Sequence, residues 1–194
     1  MPSDIFHSSS KFNSISNLEI VIYDNDIPLD SNCELFKSFS NLKCLKLYSA
    51  NITDEFFNKV SRHIPILRSI WVESENLFTD QAMNLLAKLK ILKKLVIMQH
   101  RVANVLITDM GVCQLIDSCT HIELIRFRSR PKITNTTIDH LIAIALQRNR
   151  KVIKFDCYLA ESRDELQFEH QIDINSLNNL PNNLKIIIRK KSGL

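Results

Sequence analysis

Residues 42–57 read LKCLKLYSANITDEFF, and this stretch decides the fold. Leu42, Leu45 and Leu47 are separated by three residues and then by two. The second interval is the alternation of a strand with one face buried. Five residues on, Ile52, Thr53 and Asp54 open a segment in which Phe56, Phe57, Val60 and Ile64 recur at helical spacing. The triplet explains the change of period. Ile52 anchors the turn, Thr53 is placed to cap the helix, and Asp54 falls in the first turn, where the helix dipole favours a negative charge.

Both halves of the stretch recur in phase. The strand half returns as Leu67, Ile70, Val72; Leu92, Leu95, Ile97; and Ile122, Ile125, Phe127. Weaker copies begin at Leu18 (with Val21 and Tyr23), Val152 (with Phe155 and Cys157) and Leu184 (with Ile187 and Arg189). Successive first positions lie 24, 25, 25, 30, 30 and 32 residues apart. The triplet returns as Phe78-Thr79-Asp80, Ile107-Thr108-Asp109 and Ile133-Thr134-Asn135. Behind these come Met83, Leu86, Leu89 and Lys90; Val112, Leu115, Ile116 and Cys119; and Ile138, Leu141, Ile142 and Ala145. One strand, turn and helix cannot bury its own apolar face, whereas neighbours stacked side by side can. The expectation is an α/β solenoid spanning 1–194 with about seven strands, parallel on the inner, concave side and covered by helices on the convex side. Its strongest repeats lie in 40–146, with irregular flanks at 1–17 and 156–183.

This combination resembles leucine-rich repeats of the cysteine-containing class found in F-box/LRR proteins. Residues 119–134, CTHIELIRFRSRPKIT, are similar to that family's C-P-x-L-x-x-L-x-L-x-x-C-x-x-I-T-D. Residues 107–112, ITDMGV, fit its I-T-D-x-G-L helix start, and Pro65 keeps its proline. The slot that the family fills with Cys or Asn after the strand holds Ala50, Glu75, His100 and Arg130; the buried helix-end slot holds Phe39, Ile64, Leu89 and Cys119. The resemblance implies a horseshoe that recognises substrates for a ubiquitin ligase, with ligase components among its partners. Residues 1–17 are polar and too few for the F-box, so the expectation is either the C-terminal part of a longer protein or a product lacking that module. The alternative reading is a general interaction or inhibitor-like repeat protein unrelated to ubiquitination.

Composition narrows the classes. Of 194 residues, 45% are hydrophobic and 24% charged, with 2 Gly and 5 Pro, an ordinary folded balance rather than a loop-rich or disordered one. No run approaches the roughly 20 apolar residues needed to cross a bilayer, so no membrane partner is expected. The first residues lack the pattern of a secretory signal. Five cysteines without paired spacing read as reduced thiols of a cytoplasmic or nuclear protein. The sequons at Asn51 and Asn135 are then incidental. A net charge of +4 is mild. Arg148, Arg150, Lys151 and Lys154 and the tail Arg189-Lys190-Lys191 have no interleaved aromatics, so nucleic acid is not the expected partner.

Catalytic signatures are missing. Cys113, Cys119 and His121 lack the paired spacing of a zinc site, and Cys119 falls in a slot filled elsewhere by Phe, Ile or Leu. Two glycines cannot build a phosphate-cradling loop. No catalytic residue, metal or cofactor is expected, and the chain reads as non-enzymatic.

Function then falls to the strand residues that point away from the core. One outward column runs Ile20, Cys44, Ser69, Lys94, Leu124, Lys154. The central column is Ile22, Lys46, Trp71, Val96, Arg126, Asp156, and the third is Asp24, Tyr48, Glu73, Met98, Arg128, Tyr158. Tryptophan, tyrosine and arginine dominate binding hot spots. Tyr48, Trp71, Val96, Met98, Arg126 and Arg128 are therefore the candidate contact surface for a protein or peptide. The other reading is a register displaced by one residue, which would bury Trp71 and reverse every face.

Overall fold

A computed structural model describes residues 12–22, 36–49, 52–75, 78–99, 106–128, 131–147, 153–158, 177 and 180–189. Seven strands and four helices follow in the order β1 (Asn17–Ile22), β2 (Cys44–Ser49), α1 (Asp54–His63), β3 (Ser69–Ser74), α2 (Asp80–Leu86), β4 (Lys94–Gln99), α3 (Asp109–Ser118), β5 (Leu124–Phe127), α4 (Asn135–Gln147), β6 (Ile153–Tyr158) and β7 (Leu184–Arg189). The strands form one sheet in chain order, and every adjacent pair is parallel. The molecule is thus α/β with an all-parallel sheet, and its helices pack in sequence, α1 on α2, α2 on α3 and α3 on α4.

The three-and-two spacing does what its period requires. Leu45, Ile70, Leu95, Ile125 and Phe155 face one another across successive strands, as do Leu47, Val72, Ile97, Phe127 and Cys157. All ten are buried in one core cluster with Phe56, Phe57, Val60, Met83, Leu86, Val112, Leu115, Ile138 and Leu141 of the helices. Phe39, Ile64, Leu89 and Cys119, the helix-end slot, are buried there too, whereas Lys90 is exposed beyond the end of α2. Aromatic contacts tie neighbouring strand–helix pairs together. Phe56 meets Phe36 edge-on at 5.8 Å and Phe57 at 5.6 Å, and Phe57 meets Phe78 at 5.1 Å. Each such pair is worth about 0.5–1.5 kcal/mol beyond its area burial.

The threonines of the triplets cap their helices as expected in three of four cases. The hydroxyls of Thr79, Thr108 and Thr134 accept from the N–H of Gln81, Met110 and Thr136 at 3.0, 3.2 and 3.1 Å. Thr53 makes no side-chain cap bond. The aspartates sit in the first turns as expected, and each also reaches across to the next triplet. Asp54 accepts from both the N–H and the hydroxyl of Thr79. Asp80 accepts from the N–H and hydroxyl of Thr108 at 2.7 and 2.6 Å, and Asp109 from those of Thr134 at 2.8 and 2.7 Å. Asp109 also takes the N–H and hydroxyl of buried Thr137 at 3.1 and 2.5 Å. A Cβ at Gly111 would collide with Asp80 Oδ1, so that glycine makes room for one rung of the ladder.

The expected register fails at the two outer strands. Leu18 lies opposite Leu45 and Ile20 opposite Leu47, so Ile20 turns toward the core and Val21, expected inside, is 44% exposed. At the other end Ile186 and Ile188 lie opposite Phe155 and Cys157 and pack against the core, while Ile187 lies opposite Asp156 on the other face. The sequence spacing counts from Leu18 and Leu184, which lie opposite Leu45 and Ile153, so it misled by an odd number of residues although Glu19 and Lys185 mark the outward face. The buried polar positions at the ends of β2, β3 and β4 are Ser49, Ser74 and Gln99, one residue before the slot that the resemblance implied; Glu75 of that slot is half-buried. Ala50, His100, Arg130, Asp24, Tyr23, Val152, Arg148, Arg150, Lys151, Lys190, Lys191 and the side chains of Ile22, Tyr158 and Arg189 lie outside the described residues. β6 runs into the flank 156–183 as far as Tyr158, and Leu177 and Leu180 of that flank pack against the core.

Candidate partner-binding face

Opposite the core, the sheet presents three rows of side chains. The central row crosses all seven strands as Glu19, Lys46, Trp71, Val96, Arg126, Asp156 and Ile187. Tyr48, Glu73 and Met98 are adjacent in the row toward the strand C-termini. Arg128 follows them just past β5, its N–H bonded to Ile97 O at 2.8 Å. The third row runs Asn17, Cys44, Ser69, Lys94, Leu124, Lys154 and Lys185.

All six candidate contact residues lie on this face or at its rim, with differing access. Tyr48, Trp71, Met98 and Arg126 are half-buried, and Arg128 is exposed. Val96 is only 5% exposed although it is not part of the core cluster. Its neighbours in register, Trp71 and Arg126, stand on either side, so Val96 is a floor rather than the open contact expected. Arg126 is not a free cation either. Its Nε donates to Asp156 Oδ2 at 3.0 Å, and the carboxylate side chain is 1% exposed. Lys46 meets Glu19 at 3.3 Å with both side chains about half exposed, the kind of pair that contributes little.

Between these residues lies a hollow of about 480 Å³ whose lining includes Trp71, Val96, Leu124 and Cys44 together with Glu19, Lys46, Lys94 and Arg126. The indole Nε1–H of Trp71 is buried without an acceptor, a state that costs roughly 1–3 kcal/mol. Glu19, Ile187 and Lys185 were missed as face residues because the outer strands were read out of register. Trp71 was legible because Leu67, Ile70 and Val72 keep the three-and-two spacing in phase with the neighbouring repeats, which turns the residue between Ile70 and Val72 outward.

Burial raises the pKa of three thiols. Burial pushes Cys119 up to about 12, against a small opposing pull from Lys90, and Cys119 Sγ lies 3.4 Å from Leu89 O. Cys157 is likewise raised to about 12 by burial and then by Asp156, and Cys113 is raised by burial. Among the described residues no group of three or more His, Cys, Asp and Glu is placed to hold a metal ion. Among the same residues no helix is long and apolar enough to cross a membrane. No protein-family model matches the chain, and no curated protein matches it.

Proposed function

We propose that the chain is a non-enzymatic scaffold that binds a protein or peptide on the outward face of its sheet, built as a leucine-rich-repeat solenoid with that face concave. The observation that carries this reading is the set of adjacent residues Lys46, Trp71, Val96 and Arg126. All-parallel sheets are ordinarily covered on both faces. Here the helices share their core with one face only, and the other presents the single tryptophan of the chain beside a hollow. A large aromatic in such a setting is the usual anchor of an interface.

The finer reading, substrate recognition for a ubiquitin ligase, rests on the resemblance of residues 40–146 to F-box/LRR repeats. The coarser one, an interaction scaffold without that link, rests on the face alone. Affinity capture from a cell extract followed by mass spectrometry tests both, using wild type, Trp71→Ala and Trp71→Phe. A specific partner should be lost with Trp71→Ala while stability changes by about 1 kcal/mol, the ordinary scale for a residue outside the core. Trp71→Phe, which removes the unpaired N–H, should hold stability level or raise it. Capture indifferent to Trp71 rejects the face. Ligase subunits among the captured proteins support the finer reading, and their absence leaves the coarser one.

A further inference from the structure

Cations outnumber carboxylates on the outward face. Among the described residues it carries Lys46, Lys94, Arg126, Arg128, Lys154 and Lys185 against Glu19, Glu73 and Asp156. Two of the cations are neutralised within the central row, Lys46 by Glu19 and Arg126 by Asp156. Among the described residues no carboxylate pairs with Lys94, Lys154 or Lys185. These three sit in one row, interrupted by Leu124 alone. Lys154 and Lys185 are register partners, so their backbones are about 4.8 Å apart, one strand spacing. Like charges directly opposite in a sheet destabilise it. The row is therefore an unbalanced positive stripe beside the apolar hollow of Trp71, Val96 and Leu124.

We infer that the occupant of this face is an acidic peptide segment with one large apolar side chain. The apolar group enters the hollow, and flanking carboxylates meet Lys94 on one side of Leu124 and Lys154 and Lys185 on the other. This inference rests on the proposed interaction face and adds the chemistry of the partner. A phosphate backbone fits less well. The stripe is short, and Cys44, Ser69 and Leu124 lend it no charge. A peptide places its charges selectively. Complementary charge of this kind sets partner choice and association rate, and weakens with salt.

Trp71 is the only tryptophan in the chain, so its emission reports the hollow directly. The full chain is titrated with a capped synthetic peptide carrying two glutamates on each side of one leucine, with the same peptide bearing lysines for glutamates, and with a thymidylate 12-mer. The expected result is a saturable change in Trp71 emission with the glutamate peptide alone. Its affinity should fall about tenfold or more in 0.5 M salt and in Lys94→Glu/Lys154→Glu. Lys132→Glu, an exposed lysine outside the strands, should leave affinity unchanged, and no variant should fall below the wild-type thermal midpoint. Equal binding of the lysine peptide overturns the inference, as does binding of the thymidylate in place of the peptide, or no response to any probe. A natural partner that is lost with Trp71→Ala but retained by Lys94→Glu/Lys154→Glu would overturn the acidic assignment while leaving the face intact. A partner retained by Trp71→Ala would remove the face itself.

Discussion

Asp80 at the start of α2 accepts both the backbone N–H of Thr108, at 2.7 Å, and its hydroxyl, at 2.6 Å, across 28 residues of chain. The same Thr108 hydroxyl accepts from Met110 N–H at 3.2 Å. One side chain thus closes the turn before α3 while its own hydroxyl caps that helix. Asp54–Thr79 and Asp109–Thr134 repeat the arrangement on either side, and the fourth triplet carries Asn135 in place of the aspartate. Hydrogen bonds to a charged group contribute about 1.5–3 kcal/mol each in favourable cases, so the rungs are a principal link between neighbouring strand–helix pairs.

Asp109→Ala should be the costliest of the ladder substitutions. Asp109 receives four hydrogen bonds, two of them from Thr137, which is 0% exposed. Removing the acceptor leaves buried donors unpaired, and a loss of about 2–4 kcal/mol is expected in urea unfolding. Asp139→Ala on the exposed side of α4 should stay within about 0.5 kcal/mol. Similar values for the two would mean that the ladder does not hold the turns.

Gly111→Ala should destabilise although alanine is the better helix former. The added Cβ would collide with Asp80 Oδ1 and come within 3.0 Å of its Cα. Crowding of this kind costs about 1–3 kcal/mol, more than the gain of roughly 0.5–1 kcal/mol expected from replacing glycine in a helix. Since the clash is with Asp80, the effect should shrink in an Asp80→Ala background, a coupling that a double-mutant cycle measures. Simple additivity would place the strain elsewhere.

Two ion pairs in the central row should behave unequally. Arg126→Ala leaves the Asp156 carboxylate, 1% exposed, without its cation, and a loss of about 2–4 kcal/mol is expected because an uncompensated buried charge is costly. Lys46→Ala breaks a pair whose side chains are 50% and 52% exposed, with an expected change below about 1 kcal/mol. Thermal unfolding of both variants decides the matter, and equal shifts would contradict the burial of Asp156.

Alkaline pH should weaken the fold through its buried thiols. Cys119 and Cys157 titrate at about 12 when folded, above the ordinary 9.0. Above about pH 9 the unfolded chain releases protons that the folded chain retains, so stability declines with rising pH by about 1.4 kcal/mol per unit for each thiol until pH 12. Below pH 9 neither thiol contributes a slope. Cys119→Ala should lower stability at pH 8 through lost packing, yet show a shallower decline between pH 9 and 11. Parallel declines for wild type and variant would refute the assignment.

Much of the architecture could be read before any coordinates. From β2 to β5 the three-and-two spacing recurs in phase, so each residue's face follows from its number even through the unbroken apolar run Leu95–Met98 of β4. At β1 and β7 the spacing counts from Leu18 and Leu184, which lie opposite Leu45 and Ile153, so the faces come out an odd number of residues out of step although Glu19 and Lys185 alternate with apolar neighbours. Trp71 was placed outward correctly for the first reason, and Glu19 and Lys185 were missed for the second.

The sequence by itself determined the periods: where strands and helices form, that the strands are spaced to align, and that Thr and Asp return in phase. Tertiary structure alone decided who partners whom. Asp80 and Thr108 are 28 residues apart, Arg126 and Asp156 are 30 apart, and no local preference of either residue points at the other. Periodicity is a property of one segment and survives in a string of letters, whereas a hydrogen bond or an ion pair depends on distances that exist only after neighbouring segments have packed.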